Sequence, residues 1–342
     1  MPWPRFSSAR LRVGWATSGS LGGDRVTFKA LPPPVAMRVA NIARWIDKHD
    51  RGLTTEPYRP ERRYDVVVFV KAMNDAHRAE AQRIKSYGGK VVFDANVNYY
   101  EIWGDYDIPD TKPTVTQQRA AVELTALADH VVADSSYLLE RVLKFNPQAT
   151  WIPDNVDVEL FSGPPRPGDG TLRLVWSGMA KKARALLSIA GVLGSLDETE
   201  LLLVSNEAPD VLGELCDAIP TRFAPFSLEA YARLLRDCDV IISPKRLVNG
   251  YELGHSEWKI TLGMAVGLPA VASPQRSYAE AIAHGGGGIV AVTADEWRDA
   301  FMRLRDPAVR AALGDRARQT VVERYSTPVV AAQYRDLLLQ LR

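Results

Sequence analysis

The chain has 342 residues, of which 46% are hydrophobic, and its 42 basic and 41 acidic side chains give a formal net charge of +1. This length exceeds the size at which one hydrophobic core usually stops growing, so we expect two domains. No basic face recurs along the sequence, which argues against a nucleic-acid partner, and no Cys-x-x-Cys pair suggests structural zinc. The sequence shows no signal-peptide pattern and no apolar run near the ~20 residues of a membrane span. These features favour a cytoplasmic protein.

The first half alternates apolar runs with helical patterns. Strands are predicted at residues 10–16, 64–71 and 90–94, and a helix over Asp75–Tyr87 connects the last two. A helix from about Thr116 to Leu127, a strand at His130–Ala133, a helix that begins near Ser135 or Ser136 and a strand before Pro153 follow. This βαβ alternation predicts one doubly wound α/β domain over residues 1–163.

Seven basic side chains follow the first strand. They are Arg38, Arg44, Lys48, Arg51, Arg59, Arg62 and Arg63. We interpret them as a solvated face, which leaves peripheral association with a membrane open.

The segment S-G-P-P-R-P-G-D-G at residues 162–170 is rich in Pro and Gly and is the predicted linker. Beyond it the alternation resumes, with strands at 172–176, 200–205, 239–243 and 269–272. Helices are predicted near 182–194, 208–217, 227–236 and 257–266. The second domain is therefore expected over residues 170–326, with amphipathic helices at the end of the chain and a cleft between two α/β units.

The stretch S-E-W-K-I-T-L-G-M-A-V-G-L-P-A-V-A-S at 256–273 is typical of a short helix that leads into a buried strand. Ser256 is expected to cap the helix, with Glu257 in its first turn, and Gly267 with Pro269 to end it. The N-terminus of a helix beside a cleft attracts phosphate, because its N–H groups and dipole point outward. Taken alone, the stretch fits an ordinary helix-to-strand connection better than a phosphate site.

Five segments in this order resemble retaining GT-B glycosyltransferases of the family 4 type. They are A-D-H-V-V-A-D-S-S-Y-L (128–138), I-P-D-N-V-D-V-E-L-F (152–161), C-D-V-I-I-S-P (238–244), G-M-A-V-G-L-P-A-V-A-S (263–273) and E-W-R-D-A-F-M-R-L-R-D-P-A-V-R-A-A-L-G (296–314). The resemblance implies two Rossmann-like domains facing each other across a cleft, with a C-terminal helix at about 327–342 packed back on the first. It further implies transfer of a sugar, with retention, from a nucleotide-diphosphate donor bound by the second domain to a glycan, lipid-linked or small-molecule acceptor bound by the first. Neither a metal nor a cofactor is implied.

The family's donor site predicts several residues here. Gly22 and Gly23 follow the first strand, where glycines let backbone N–H groups approach a diphosphate or sugar. Lys181 and Lys182, after Gly178, are placed to neutralise charge on the leaving diphosphate. Phe223 and Phe226 lie where the family contacts the nucleotide base, and they are equally consistent with core aromatics.

The chain departs from the family pattern at two positions. Leu262 and Gly254 stand where the family has carboxylates that bind the donor ribose and sugar. Glu252 and Glu257 are nearby acids that could replace one of them, and Lys259 matches a lysine of a family subgroup that begins this helix with Ser-x-x-Lys. Two alternatives therefore stay open: a nucleotide-sugar epimerase of the same fold, and a degenerate, non-catalytic binding module.

The segment F-D-A-N-V-N-Y-Y-E-I-W at 93–103 follows the third predicted strand and is expected to face the cleft. Asp94, as a catalytic group, together with Asn96 and Asn98 could orient an acceptor hydroxyl. Three aromatic side chains, Tyr99, Tyr100 and Trp103, could stack on a sugar. Asp94 could instead cap the next segment.

Overall fold

A computed structural model of the chain describes residues 10–21, 27–163 and 169–342. The strands in these residues are β1 (Leu11–Thr17), β2 (Leu53–Pro57), β3 (Val66–Val70), β4 (Lys90–Ala95), β5 (His130–Ala133), β6 (Ala149–Trp151), β7 (Leu172–Gly178), β8 (Thr199–Ser205), β9 (Thr221–Pro225), β10 (Val240–Ser243), β11 (Ala270–Ala272) and β12 (Gly288–Val290). They form two parallel six-stranded sheets, with the orders β2-β1-β3-β4-β5-β6 and β12-β11-β10-β7-β8-β9.

The α-helices of the same residues are α1 (Pro33–Ala36), α2 (Ile42–His49), α3 (Asp75–Ser86), α4 (Val115–Leu127), α5 (Ser136–Val142), α6 (Ala190–Leu193), α7 (Leu212–Ala218), α8 (Leu228–Arg236), α9 (Gly250–Leu253), α10 (Trp258–Ala265), α11 (Arg276–Gly285), α12 (Ala294–Arg303), α13 (Pro307–Thr320) and α14 (Thr327–Gln340). A π-helical turn at Met37–Asn41 joins α1 to α2, and another at Val321–Tyr325 follows α13. A 3₁₀ segment, Ala180–Ile189, leads into α6. None of these helices combines the length and apolar character needed to cross a membrane.

Each sheet carries a hydrophobic core on both faces, which confirms the prediction of two doubly wound α/β domains. The predicted strands are all present. Strands β2, β9 and β12 and the helical segment before β2 were not predicted. That segment packs on the first sheet through Val39, Ile42 and Ile46, so it belongs to the core of the first domain.

The final helix, α14, packs on the first sheet although it follows the second domain in sequence. Its residues Val330, Tyr334 and Leu338 share a core with Val13 and Ile42. The chain leaves the first domain and returns to it at the same place, where Val156 donates its N–H to Tyr325 and accepts from the N–H of Thr327.

Asn155 ties this crossing together with its side chain. Its Nδ2 donates to the carbonyl of Met37 at 2.8 Å, and its Oδ1 accepts from the hydroxyl of Thr327 at 2.8 Å. The φ of Asn155 is not among the positive values of the described residues, so this residue does not supply a left-handed turn. The residue therefore serves as a hydrogen-bonding link between the segments that join the domains.

Helix α10 is present as predicted, but its cap is different. Glu257, with φ −79° and ψ 0°, is the N-cap residue and makes no side-chain capping bond. The predicted cap, Ser256, instead donates its hydroxyl to Asp154 of the first domain at 2.6 Å. Gly263 allows close packing, because a Cβ there would lie 2.6 Å from Ile241, and Gly267 ends the helix in the left-handed region with φ +85°.

Candidate functional site

A pocket of about 540 Å³ lies at the carboxyl ends of the strands of the second sheet. Ser177 and Gly178 at the end of β7, Asn206 after β8 and Lys245 after β10 line it. Strand β7 pairs with both β8 and β10, so the strand order reverses beside the pocket. Open α/β sheets bind ligands at such a reversal, and the pocket is therefore the candidate site.

One part of the pocket is apolar and aromatic. Phe226, Trp258, Leu262 and Tyr278 line it, and half-exposed Met179 borders it. None of the lining residues that the structure describes carries a carboxylate. This part of the pocket suits a flat or apolar group, which large side chains can cover on both faces.

Three lysines also line the pocket. Lys182 comes from the 3₁₀ segment, Lys245 from the loop after β10 and Lys259 from the first turn of α10. Glu252 lies behind them, with its carboxylate 3.8 Å from Nζ of Lys182 and 3.7 Å from Nζ of Lys245. One carboxylate among three lysines leaves an excess of positive charge beside the N-terminus of a helix, which is an arrangement that binds anions.

Burial changes the ionisation of this cluster. It lowers the pKa of Lys182, lowers that of Lys245 to about 8 and lowers that of Lys259 well below its usual range, while Glu252 opposes each shift. Burial alone would raise the pKa of Glu252, but Lys245, Lys182 and Lys259 together lower it. An anion in the pocket would restore the charge that these lysines lose by burial.

His255 lies among the lysines and also lines the pocket. Its Nε2 is 2.9 Å from Nζ of Lys182. Burial lowers the pKa of His255 well below its usual value, and Lys182, Lys245, Lys259 and Lys71 lower it further. The ring is therefore neutral at neutral pH.

Lys71 reaches this region from the first domain. It follows β3 and has φ 54°, which is uncommon for a residue other than glycine. Its charge acts both on Asp134 in its own domain and on His255 in the other. Lys71, at the carboxyl end of β3, therefore lies near enough to the second domain to influence a residue that lines the pocket.

The predicted lysine pair is separated in the structure. Lys182 lines the pocket, whereas Lys181 extends to the first domain, where its Nζ donates to the carbonyl of Pro109 at 2.7 Å and lies 3.3 Å from the carboxylate of Asp110. Lys259, rather than Lys181, lies close to Gly178: a Cβ on that glycine would be 2.9 Å from Nζ of Lys259. The two predicted base-contacting aromatics also lie in different places: Phe226 lines the pocket, whereas Phe223 lies within β9 and is not among the lining residues.

The predicted acidic residues do not line the pocket. Glu252 is buried between the lysines, and Glu257 is fully buried with no hydrogen-bond partner for either carboxylate oxygen among the described residues. Burial, together with the nearby Asp154 and Asp134, raises the pKa of Glu257 well above its usual value and favours the neutral acid. Gly22 and Gly23 lie outside the described residues.

Asp94 lies inside the first domain rather than at the pocket. It is fully buried, and Nε of Arg38 donates to both of its carboxylate oxygens at 3.0 Å. The hydroxyl of Tyr334 donates to it at 2.5 Å and Nδ2 of Asn96 at 3.0 Å. The carboxylate of Asp94 is thus hydrogen-bonded within the first domain. Asp94 neither caps a helix nor lines the pocket, and its catalytic role stays a prediction.

Arg38 belongs to the basic segment interpreted as a solvated face, and for this residue that interpretation is wrong. Arg38 is 3% exposed, and it also binds Asp154 at 2.8 Å and the carbonyl of Ile152 at 3.1 Å. Asp154 in turn accepts from Ser256 of the second domain. A buried network therefore runs from the first sheet to the residue before the helix cap of α10.

Three of the predicted acceptor residues, Asn98, Tyr99 and Trp103, lie near the second domain, whereas Asn96 does not. Nδ2 of Asn98 donates to the carbonyl of Gly250 at 3.1 Å, and Asn96 is engaged with Asp94. Burial raises the pKa of Tyr99, and the nearby Tyr251 raises it further. Trp103 is 45% exposed, so its ring is accessible. Their role as acceptor ligands stays a prediction.

Four residues of this region were not predicted as functional: Lys245, His255, Lys71 and Arg38. Lys245 and Lys71 carry one usable signal, since both lie just after a buried parallel strand, where ligands bind. His255 has a weaker signal as the neighbour of Ser256. The role of Arg38 depends on partners 56 and 116 residues away, and no local pattern reveals it.

No protein-family model matches the sequence, and no curated protein sequence matches it either. Solved structures do match. Sucrose-phosphate synthase from Thermosynechococcus elongatus is 14% identical with a TM-score of 0.70, and 97% of this chain covers 99% of that one. HepE from Anabaena, determined in complex with UDP and glucose, is 13% identical with a TM-score of 0.68 over 97% and 100% of the two chains. WaaG, a glycosyltransferase involved in lipopolysaccharide biosynthesis, is 11% identical with a TM-score of 0.62 over 96% and 99%.

At these identities the matches show a shared fold. The predicted GT-B architecture is confirmed, because glycosyltransferases of this fold align with nearly the whole chain.

Proposed function

We propose that this protein is a glycosyltransferase that transfers a sugar from a nucleotide-diphosphate donor to an acceptor hydroxyl. The observation that carries the proposal is the cluster of Lys182, Lys245 and Lys259 at the N-terminus of α10, next to an aromatic pocket. A nucleoside diphosphate has the matching form, with a flat base at one end and two negative charges at the other. The GT-B neighbours, one of which was solved with UDP, support this choice.

In the proposed complex the diphosphate lies against the lysines and the first turn of α10, and Phe226 contacts the base. Negative charge develops on the leaving diphosphate as the glycosidic bond breaks. Preformed cations stabilise that charge without reorganisation. Because lysines supply the positive charge, we propose that the reaction needs no divalent metal, and activity is expected to persist in excess EDTA.

We further propose that the sugar keeps its anomeric configuration. The acceptor oxygen then attacks the anomeric carbon on the face from which the diphosphate leaves, and the acceptor proton passes to the departing phosphate oxygen. The new glycosidic bond replaces the sugar–phosphate bond, and the products are the glycoside and the nucleoside diphosphate. The anomeric coupling constant of the product, measured by NMR, tests this step.

A non-catalytic binding module is the second candidate. Leu262 in the pocket and the absence of a carboxylate from its described lining favour it, because a sugar or ribose there has no acidic partner. An epimerase of the same fold would also bind the donor, but it would need no acceptor. Under either candidate, adding an acceptor releases no nucleoside diphosphate.

Titration calorimetry with UDP, GDP, dTDP and their sugars tests the first step. We expect binding of at least one nucleoside diphosphate, and no binding at millimolar concentration would disprove the proposal. Release of nucleoside diphosphate that requires an acceptor would then establish transfer. The acceptor panel includes glycans, lipid-linked acceptors and small molecules, with and without membrane vesicles. Binding without release over this panel would favour the module or the epimerase.

A further inference from the structure

His255 is held in a fixed position beside the lysines that line the pocket. Its carbonyl oxygen accepts hydrogen bonds from Nε2 of Gln275 and from the hydroxyl of Ser277, the latter at 2.8 Å. Its ring packs edge-on against Tyr251, with 4.4 Å between ring centroids. Both the backbone and the imidazole are therefore fixed before any ligand arrives.

The ring nitrogen of His255 contacts the ammonium group of Lys182. As an ammonium group Lys182 has three N–H donors; its Nζ lies 2.9 Å from Nε2 of His255 and donates to the hydroxyl of Tyr251 at 3.2 Å. Glu252 lies at 3.8 Å, beyond direct hydrogen-bond distance. One N–H of Lys182 is thus left for a ligand in the pocket that this lysine lines.

The ionisation of the neighbours is consistent with this arrangement. Burial, together with Lys182, Lys245, Lys259 and Lys71, disfavours a charge on His255, so one of its two ring nitrogens is free of a proton and can accept a hydrogen bond. Burial raises the pKa of Tyr251 to about 12, which keeps its hydroxyl neutral. Neither acceptor carries a charge, so these two contacts orient Lys182 without forming an ion pair with it.

We propose that His255 is a positioning residue, which orients the Lys182 ammonium so that one N–H points at an oxyanion of the ligand. This inference rests on the proposed function for the identity of that ligand, a nucleoside diphosphate. Its geometric content is independent of the ligand: the proton of the neutral imidazole is on Nδ1, because Nε2 accepts from Lys182.

The first experiment is ¹⁵N NMR of the histidine side chains of the full chain at pH 7. The variant His255→Gln assigns the His255 signals by their loss. We expect the neutral tautomer with the proton on Nδ1. A proton on Nε2, or a doubly protonated ring, would overturn the proposal.

The second experiment is a double-mutant cycle measured as affinity for UDP, GDP and dTDP. His255→Leu removes the acceptor and should weaken binding about tenfold, whereas His255→Gln offers an acceptor oxygen and should restore most of it. In the Lys182→Met background, His255→Leu should have no further effect. Equal affinity of the Leu variant and the natural protein, or additive losses in the double variant, would show that His255 does not act through Lys182.

The two experiments separate this inference from the proposed function. If the natural protein binds none of the three nucleotides, the proposed function fails, and the tautomer of His255 still decides whether the histidine orients Lys182.

Discussion

Gly254 of the second domain packs directly against Asn98 of the first, so closely that a Cβ on Gly254 would lie 2.7 Å from the Cβ of Asn98. This contact lies beside the hydrogen bond from Asn98 to Gly250. It gives a physical reason for glycine where the resembling family has a carboxylate. The space that a longer side chain would need is occupied by the other domain.

Gly254→Ala is therefore expected to destabilise the protein by about 1–3 kcal/mol, because the added methyl group forces Asn98 away from its place. Urea unfolding measures the effect. Gly213→Ala is the matched control, since a Cβ there meets nothing within 4 Å and the residue lies within α7. Equal stability of the two variants would show that the contact between the domains is loose.

Asp94→Asn tests whether Asp94 is catalytic or structural. Removing its charge leaves Arg38 buried with one fewer partner, and we expect a loss of about 3 kcal/mol or more in the free energy of unfolding. Asp299→Asn, at an exposed position, should change stability little. A stable Asp94→Asn variant that binds the nucleotide but has lost transfer activity would instead support the catalytic role.

Most of the strands that the sequence predicted are buried on both faces, and the edge strand β6 is the exception. Val66–Val70 and Val240–Ser243 are continuous apolar runs, and such runs are typical of parallel strands. The missed strands β2 and β12 lie at sheet edges, where one side is open and the pattern weakens. Leu53–Pro57, L-T-T-E-P, is too polar to be recognised as a strand without its neighbour β1.

The site was only partly predictable for a similar reason. Lys259 belongs to a regular helix, so its place at the N-terminus of α10 follows from local pattern. Lys245 and Glu252 lie in or near an irregular loop, and they meet Lys182 only because the sheet brings the ends of β7 and β10 together. Local sequence contains the residue types, while the pairing of the strands determines which of them converge.

Lys182→Ala and Lys181→Ala form a matched pair, because the residues are adjacent but point to different places. Lys182→Ala should weaken nucleoside diphosphate binding by roughly 10- to 100-fold, since it removes a charged hydrogen bond to the ligand. Lys181→Ala should leave the affinity nearly unchanged, because its ammonium binds Pro109 and Asp110. Calorimetric titration distinguishes the two variants. An equal loss of affinity in both would show that Lys181 also contributes to the binding site.

Lys245 predicts an unusual dependence on pH. Because burial lowers its pKa to about 8, the free protein releases this proton as pH rises through 8, whereas the unfolded chain holds it until about 10.5. The unfolded state thus binds more protons between these values, and through this lysine the free energy of unfolding rises with pH. Affinity for a nucleoside diphosphate should change in the opposite direction, because the bound anion needs the charged lysine.

Calorimetry from pH 7 to 9.5 should therefore show affinity that is weaker above pH 8, by up to about tenfold per pH unit for a single linked proton. Lys245→Met keeps the apolar stem and removes the titration, so its affinity should be lower at pH 7 and should lose the step near pH 8. Lys182 and Lys259 remain in that variant and account for any residual slope. An unchanged profile in Lys245→Met would assign the pH dependence to those two lysines.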